Sequence, residues 1–298
     1  MNLEEIIMEE NRTFTLAEDG FVGKLFCPKK DEFLDKALVF FTGSDGSFEL
    51  ACLGGQFFAN HELTTLSIAY FKQPGLPQTL ANIPIETVEK AARWLKNAGY
   101  AKIGVWGISM GAELALLAGA YMPELLSCVI AASPICVISQ GLGVKNAFLP
   151  CSAFTWRGKD LPYAPYPFPK ITLRRMLRSW RRYGDFGYRF CYEKLVEAPP
   201  AQSVIPAQKI HGPILLISGK LDSMWPAYES GEYLMQRLNS AQFAYPHTHL
   251  VYEYGSHFMV PMHLKSERIF KSKRKHKAES DAYKKDQLEK TISFLQAW

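Results

Sequence analysis

A serine between two glycines is the part of the sequence best suited to chemistry. The pentapeptide Gly107–Gly111 reads Gly-Ile-Ser-Met-Gly; the apolar run Lys102–Trp106 precedes it and a stretch of small helix-forming residues follows it. This pattern is typical of a nucleophile elbow, a sharp and strained turn that exposes the serine Oγ. The serine also lies at a helix N-terminus, where backbone N–H groups favour developing negative charge. The pattern predicts that Ser109 is a nucleophile.

A serine nucleophile needs a base, and the base needs an acid to orient it. With the serine first in the chain, the acid is expected after a later strand and the histidine after the last strand. The predicted strand Ile214–Ser218 is followed by Asp222, and the predicted last strand His249–Tyr254 is followed by His257. Because the carboxyl ends of parallel strands gather at one edge of a sheet, Ser109, Asp222 and His257 are predicted to form a triad.

Other residues of the sequence are candidates for the same roles. Asp45 and Asp185 are poorer candidates for the acid. The remaining histidines lie before strands, at the start of the last strand or beyond its end (His61, His211, His247, His249, His263 and His276).

An acyl-transfer site also needs two donors for the oxyanion. The N–H of Met110, directly after the nucleophile, is the first candidate. The second is expected from the loop 43–46, where Ser44 is favoured and Asp45 remains an alternative. This chemistry needs no metal and no organic cofactor, and the sequence has no Cys/His cluster with ligand spacing.

The elements that must position these residues alternate between strand and helix. This order predicts an α/β fold with a mostly parallel sheet covered by helices on both faces. The predicted strands are Thr13–Ala17, Val22–Cys27, Ala37–Thr42, Leu63–Tyr70, Lys102–Trp106, Cys128–Ala132, Ile214–Ser218 and His249–Tyr254, of which the first two form a hairpin. The predicted helices are Phe48–Asn60, Ile85–Ala98, Ser109–Tyr121, Ile171–Tyr183, Ala227–Leu238 and Asp281–Gln296.

A long segment, 139–208, interrupts this alternation and exceeds the length of an ordinary loop. Its centre, Leu161–Pro169, is rich in proline and aromatic residues, and a basic helix follows. We interpret it as a cap inserted into a core formed by residues 1–138 and 209–298. Its aromatic residues would line an acyl pocket or, alternatively, only pack the cap onto the core.

Composition is that of one α/β domain with an insertion, or of two small domains at most: 298 residues, 48% of them hydrophobic. The sequence contains no apolar run of about 18 residues, so no membrane span is predicted. The first ten residues are acidic and lack the order of a signal peptide. The six cysteines are scattered and are expected to be free thiols, which predicts a cytoplasmic location.

Positive charge is concentrated in two places. Residues 139–205 carry eleven Lys/Arg and four acids, and a second basic run covers Lys271–Lys277. Such segments attract phosphorylated substrates, nucleic acid or membrane surfaces, or are simply solvated. We expect no nucleic-acid partner, and the sequence leaves the oligomeric state open.

Several segments together resemble the C-terminal catalytic domain of acyl-CoA thioesterases and bile acid-CoA:amino acid N-acyltransferases, a dienelactone-hydrolase-like α/β-hydrolase family. The segments are Leu66–Phe71, Gly75–Leu80, Ile83–Glu86, Gly104–Ala115, Gly219–Trp225 and Tyr254–Pro261. The resemblance covers roughly 20–140 and 210–265, and it implies an α/β-hydrolase fold with the triad Ser109, Asp222 and His257. Two features differ: the two-domain members have a large N-terminal β-sandwich where this sequence has a short hairpin, and 139–208 does not match the family pattern.

The resemblance implies a serine hydrolase that cleaves acyl thioesters through an acyl-enzyme on Ser109. Serine at the elbow is similar to the thioesterase branch, whereas the amino-acid transferases have cysteine there. The substrate would be a small acyl thioester or ester. An arginine cluster is a candidate site for the phosphates of CoA: Arg174, Arg175, Arg178, Arg181 and Arg182. The alternatives are a carboxylesterase or dienelactone-hydrolase-like enzyme of small esters, an acyltransferase, and a non-catalytic hydrolase-fold binding protein.

Overall fold

A computed structural model describes residues 12–30, 32–168 and 171–298. The acidic N-terminal residues discussed above therefore lie outside the described residues, and so does Pro169 at the end of the proline-rich stretch. The strands are β1 (Thr13–Phe14), β2 (Val22–Phe26), β3 (Lys36–Phe41), β4 (Thr65–Ala69), β5 (Ile83–Pro84), β6 (Lys102–Ile108), β7 (Cys128–Ala132), β8 (Gln140–Leu142), β9 (Phe148–Ser152), β10 (Phe154–Trp156), β11 (Lys159–Asp160), β12 (Ile214–Gly219) and β13 (His247–Tyr252). The helices are α1 (Leu16–Asp19), α2 (Phe48–Ala59), α3 (Glu86–Asn97), α4 (Met110–Tyr121), α5 (Leu173–Tyr183), α6 (Arg189–Glu197), α7 (Ala227–Ser240), α8 (Lys271–Lys275) and α9 (Lys277–Ala297).

The main sheet has eight strands in the order β1-β2-β4-β3-β6-β7-β12-β13. The strands from β4 to β13 in this order pair in parallel, and β1 and β2 are antiparallel additions at one edge. Strands β3, β7 and β12 are buried along their whole length, as expected for apolar runs covered on both faces. The predicted α/β fold is confirmed.

Two hydrophobic clusters lie on the two faces of this sheet. One includes Val39 and Val105 with α3 and α4, and the other includes Phe40 and Trp106 with α2 and α9. Neighbouring residues of β3 and β6 thus point to opposite faces, because strand side chains alternate. Helices packed on both faces hold the sheet, and with it the carboxyl ends of the strands that carry the site.

Some predicted boundaries were wrong for local reasons. The predicted hairpin contains β1 and β2 in antiparallel pairing, but helix α1 separates them. The Thr15 hydroxyl accepts the N–H of Glu18, and the Asp19 carboxylate accepts the N–H of Thr15 at 2.8 Å, so side-chain capping stabilises one helical turn.

The last strand is shifted from the prediction to His247–Tyr252. Gly219 and Gly255 approach so closely that a Cβ on Gly219 would lie 2.2 Å from the carbonyl carbon of Gly255. The chain turns there, with the N–H of Gly255 bonded to the carbonyl of Tyr252. The strand therefore ends two residues before the predicted end. The last helix begins earlier than predicted, at Lys277.

The segment 139–208 is more regular than the sequence indicated. It contains β8–β11, α5 and α6, and α5 begins at Leu173 after the capping residue Thr172. Strand β10 pairs in parallel with β5, which fixes the segment to the chain just before α3. That the segment 139–208 forms a cap distinct from the core remains a proposal. Among the described residues, no helix is long and apolar enough to cross a membrane.

Candidate active site

The turn between β6 and α4 has the geometry that an elbow requires. Ser109 lies at φ 60° and ψ −125°, a conformation that side-chain-bearing residues rarely adopt. A Cβ on Gly107 would lie 2.0 Å from the carbonyl oxygen of Gly111, and a Cβ on Gly111 would lie 2.2 Å from that of Thr42. Both glycines are therefore required by close backbone approach.

Asp222 and His257 come together at the ends of β12 and β13. The Nδ1 of His257 lies 2.8 Å from Oδ2 of Asp222, and both side chains are buried. The other carboxylate oxygen, Oδ1, accepts the N–H groups of Met224 at 2.8 Å and of Trp225 at 3.2 Å. The carboxylate is thus fixed at both oxygens, and the bond at Nδ1 leaves Nε2 as the nitrogen available to a substrate or nucleophile.

Two further residues hold the histidine and were not predicted individually. The Trp225 ring packs edge-on against the imidazole, with 5.5 Å between the ring centres, and its Nε1 donates to the carbonyl of Ser133 at 3.0 Å. Ser133 in turn donates its hydroxyl to the carbonyl of His257 at 2.6 Å. Trp225 falls in a segment that carried the family resemblance. The sequence signal for Ser133 is weaker, because it consists only of its position directly after β7.

Ser109 and His257 line a common cavity of about 220 Å³, together with Ser44 and Met110. Asp222 lies behind the histidine. The structure therefore brings together all five residues proposed for the site. The opposite wall is largely apolar and comes from the 139–208 segment: Leu142, Phe148, Tyr166, Ile171, Tyr188, Cys191 and Tyr192. The aromatic residues of that segment reach the cavity as well as packing on the core.

The alternative acids have other partners. The Asp45 carboxylate accepts the N–H of Ser47 at 2.7 Å, in the turn that precedes α2. Ser47, and not Asp45, caps α2. Asp185 accepts the N–H of Lys271 at 2.7 Å. Both carboxylates thus accept backbone N–H groups, Asp45 within its own turn and Asp185 from a segment far away in the sequence.

The loop that carries Ser44 is held from β4. The Tyr70 hydroxyl lies 3.0 Å from the carbonyl oxygens of Thr42 and Gly43, and Lys72 donates to the carbonyl of Asp45 at 2.9 Å. Burial raises the pKa of Tyr70 well above its usual value, which keeps the hydroxyl a donor. These contacts fix the backbone from which a second oxyanion donor would come.

Tyr70→Phe is expected to lower kcat about tenfold, because the loop loses its buried hydrogen-bond donor. Leaving buried carbonyl groups without a partner costs about 1–3 kcal/mol of free energy. Tyr100→Phe is the matched control, since its buried hydroxyl bonds to Thr64 Oγ at 3.1 Å. The two variants should lose similar thermal stability, measured by unfolding, but only the first should lose kcat. An equal loss of kcat in both variants would contradict a specific role for Tyr70.

A buried carboxyl joins the elbow helix to the 139–208 segment. Glu113 of α4 is fully buried, with Oε1 accepting the N–H of Ser139 at 2.7 Å and Oε2 lying 2.6 Å from the Ser139 hydroxyl. Burial raises the pKa of Glu113 from 4.5 to about 8, and the bonds from Ser139 oppose that shift only in part. The carboxyl is therefore mainly protonated at neutral pH.

This raised pKa predicts a pH-dependent stability. The folded protein holds the Glu113 proton more tightly than the unfolded chain, so the contribution is complete below about pH 4.5 and is lost as the pH rises through about 8. Glu113→Gln imitates the protonated acid. Its melting temperature should exceed that of the native protein above pH 8, and the difference should shrink toward pH 4.5. The exposed Glu49→Gln serves as control, and a pH-independent difference for Glu113→Gln would refute this titration.

The five arginines of the cluster all lie on or at the end of α5. Arg175 packs its guanidinium over Phe168, 3.9 Å from the ring centre, and Arg182 lies 3.5 Å from Glu193. The described residues that line the cavity do not include an arginine. Binding of CoA phosphates by this cluster stays a prediction. Within the described part of the chain, no group of three His, Cys, Asp or Glu side chains could hold a metal ion.

Sequence comparison identifies relatives. A family profile described as "BAAT / Acyl-CoA thioester hydrolase C terminal" matches residues 83–273. The matched range spans 139–208, the segment set apart above from the family pattern. Acyl-coenzyme A thioesterase 6 of Mus musculus is 24% identical over 185 residues, 61% of this chain and 39% of that protein. Acyl-coenzyme A amino acid N-acyltransferase 2 of Mus musculus is 26% identical over 197 residues, 63% of this chain and 42% of that protein. The chain thus spans well under half the length of these relatives.

Solved structures support the fold. A Klebsiella pneumoniae protein assigned as a dienelactone hydrolase superposes with a TM-score of 0.58 at 12% identity, covering 93% of each chain. A Pyrobaculum calidifontis esterase superposes with a TM-score of 0.52 at 15% identity, covering 98% of this chain and 90% of the other. At these identities the likeness concerns architecture alone. The family match over 83–273 and the structural neighbours agree with the resemblance seen in the sequence. The chain therefore belongs to the BAAT / acyl-CoA thioester hydrolase C-terminal family and has an α/β-hydrolase fold.

Proposed function

We propose that the protein is a serine hydrolase that cleaves acyl-CoA thioesters through an acyl-enzyme on Ser109. The single observation that carries the proposal is the arrangement around His257. Its Nδ1 is bonded to the buried Asp222 carboxylate at 2.8 Å, and the ring faces the same cavity as Ser109. The family to which the chain belongs supports the choice of a thioester.

The proposed reaction has two steps. His257 Nε2 takes the proton of Ser109 as Oγ attacks the thioester carbonyl, and the resulting oxyanion rests on the N–H groups of Met110 and Ser44. The C–S bond then breaks and the imidazolium gives its proton to the departing thiol. Water repeats the attack on the acyl-enzyme, its proton passes to His257 and then to Ser109, and the acid leaves.

Asp222 acts throughout as the orienting acid. It keeps the Nδ1–H tautomer, so that Nε2 carries the lone pair, and it stabilises the imidazolium. The reaction needs no cofactor. Cytoplasmic location stays a prediction that rests on the sequence.

Transfer of the acyl group to an amine is a second candidate, favoured by the N-acyltransferase among the curated relatives. Both reactions share the acyl-enzyme and differ in the acceptor that resolves it. Glycine or taurine added to the assay would divert the product from free acid to amide if transfer occurs.

The deciding experiment follows free thiol and free acid from acyl-CoAs, acetyl to palmitoyl, beside aryl esters of equal acyl length. We expect thiol release that exceeds ester cleavage and depends on Ser109. Ester cleavage without thiol release would make the protein a carboxylesterase. Absence of both reactions from folded protein would contradict the proposal and favour a hydrolase-fold binding protein.

A further inference from the structure

Three large apolar side chains of helix α5 face outward, while Met176 is half-buried. Leu173, Leu177 and Trp180 are 74%, 44% and 47% exposed, whereas the small polar Ser179 is 3% exposed and is the helix's buried residue. The spacing of the three apolar residues, i, i+4 and i+7, places them in one row along the helix. A surface helix normally buries such a row against the core. In α5 the row faces solvent.

A row of cations runs beside the apolar row. Arg174, Arg178 and Arg181 repeat the same spacing one position along the helix, and all three are exposed. The sequence of α5 contains five arginines and no acid. The helix therefore presents an apolar row next to a positive row, the arrangement of helices that lie in a membrane interface.

The fold attaches the second basic run to the end of this helix. Asp185, just after α5, accepts the N–H of Lys271 at 2.7 Å and a bond from Arg274 Nη2 at 3.3 Å. Arg274 also donates to the carbonyl of Ile269, whose side chain is 64% exposed. The Asp185 carboxylate is buried and engaged. Neither basic segment contains an acid, so the surface keeps an excess of cations although Asp281 pairs with Lys273 and Glu193 with Arg182.

Further apolar groups continue the same surface. Phe186, 58% exposed, stacks on Trp180 with 6.2 Å between the ring centres. Two segments that are separate in the sequence thus form one face, which we name the α5 surface: the helix α5, Phe186 and residues 268–277. Contiguous exposed apolar patches, unlike single exposed apolar residues, mark sites that bind a protein or a membrane.

We propose that the α5 surface docks on a lipid bilayer with anionic headgroups. The apolar row enters the interface, and the arginines contact lipid phosphates, to which guanidinium groups bind as bidentate donors. A nucleic acid or the phosphates of CoA would use the charges but leave the apolar row exposed. A second copy of this chain would meet the same positive charge and be repelled.

The α5 surface is connected through the chain to the wall of the cavity. Ile171, just before α5, and Tyr188, just after it, both line the cavity that contains Ser109. The surface itself contributes no residue to that lining, so membrane binding does not depend on the proposed reaction.

The test is sedimentation of the full chain with vesicles of phosphatidylglycerol and phosphatidylcholine, beside vesicles of phosphatidylcholine alone. We expect binding to the anionic vesicles that weakens as salt screens the charges. The double variant Leu173→Ser/Trp180→Ser should bind at least about tenfold more weakly, because two exposed apolar groups lose their insertion. Its thermal unfolding and its activity on soluble acetyl-CoA should match those of the native protein.

A charge variant and its matched control complete the test. Arg178→Glu/Arg181→Glu should also lose binding, whereas Lys29→Glu/Lys30→Glu, in the connection between β2 and β3, should keep it. Failure of the native protein to bind anionic vesicles would refute the proposal. Loss in the arginine variant without loss in the apolar variant would instead indicate a polyanion site, and self-association abolished by the apolar variant would indicate a second copy as the partner.

Discussion

Replacing Ser109 with alanine is expected to lower kcat for acyl-CoA cleavage at least about 10³-fold. The variant removes the only atom proposed to form the acyl-enzyme, while His257 and the proposed oxyanion donors remain. The residual rate would come from these groups acting on water. The measurement is thiol release under saturating acyl-CoA, with kcat compared between native and variant protein.

The backbone geometry makes this substitution a clean test. Serine and alanine both carry a Cβ at the strained φ of 60°, so the variant keeps the strain of the elbow. Its melting temperature should therefore stay close to that of the native protein. Retention of the native kcat would contradict the proposed nucleophile.

A covalent test separates the nucleophile from the rest of the site. Native protein mixed with acyl-CoA and quenched rapidly should gain the mass of one acyl group on the peptide that contains Ser109. Ser109→Ala should not gain it, and His257→Ala should gain it much more slowly. An acyl group found on another residue would refute the acyl-enzyme on Ser109.

The sequence predicted the sheet because burial on both faces leaves a simple pattern. Runs such as those of β3 and β12 are short and almost continuously apolar, which is typical of strands buried on both faces. The elbow also follows from local residues, since the glycines at 107 and 111 are needed by contacts within a short stretch of chain and with the end of β3.

Elements held by distant partners were missed. Helix α6 begins at Arg189, whose side chain donates to the carbonyl of Asp222 at 3.2 Å and contacts Glu229. Strand β10 exists because it pairs with β5, far away in the sequence. Neither partnership leaves a periodic signal in the residues that form the element.

The same distinction applies to the site. Chain order and strand ends indicated Ser109, Asp222 and His257, because parallel topology forces those ends together. Ser133 and Tyr70 support the site through bonds to backbone carbonyls, and such bonds depend on tertiary approach. Trp225 was visible only through the family resemblance.

Asp222→Asn is expected to lower kcat about 10³–10⁴-fold while leaving the fold nearly unchanged. In the native protein Oδ1 accepts two N–H groups, from Met224 and Trp225. The asparagine must keep its oxygen at that position, because an NH₂ group there would face two donors. Its NH₂ then points at His257 Nδ1, which must become an acceptor. The imidazole would carry its proton on Nε2 and could no longer take the proton of Ser109.

Asp185→Asn is the matched control, because Asp185 is also a buried carboxylate that accepts a backbone N–H, from Lys271 at 2.7 Å. It should keep kcat within about threefold, since its partners Lys271 and Arg274 do not line the cavity. Both variants should be compared for thiol release and for melting temperature. A large loss of kcat in Asp185→Asn, with activity kept in Asp222→Asn, would reverse the assignment of the acid. We expect both variants to fold and only Asp222→Asn to lose kcat, because Asp222 is the carboxylate that contacts His257 and would control its tautomer.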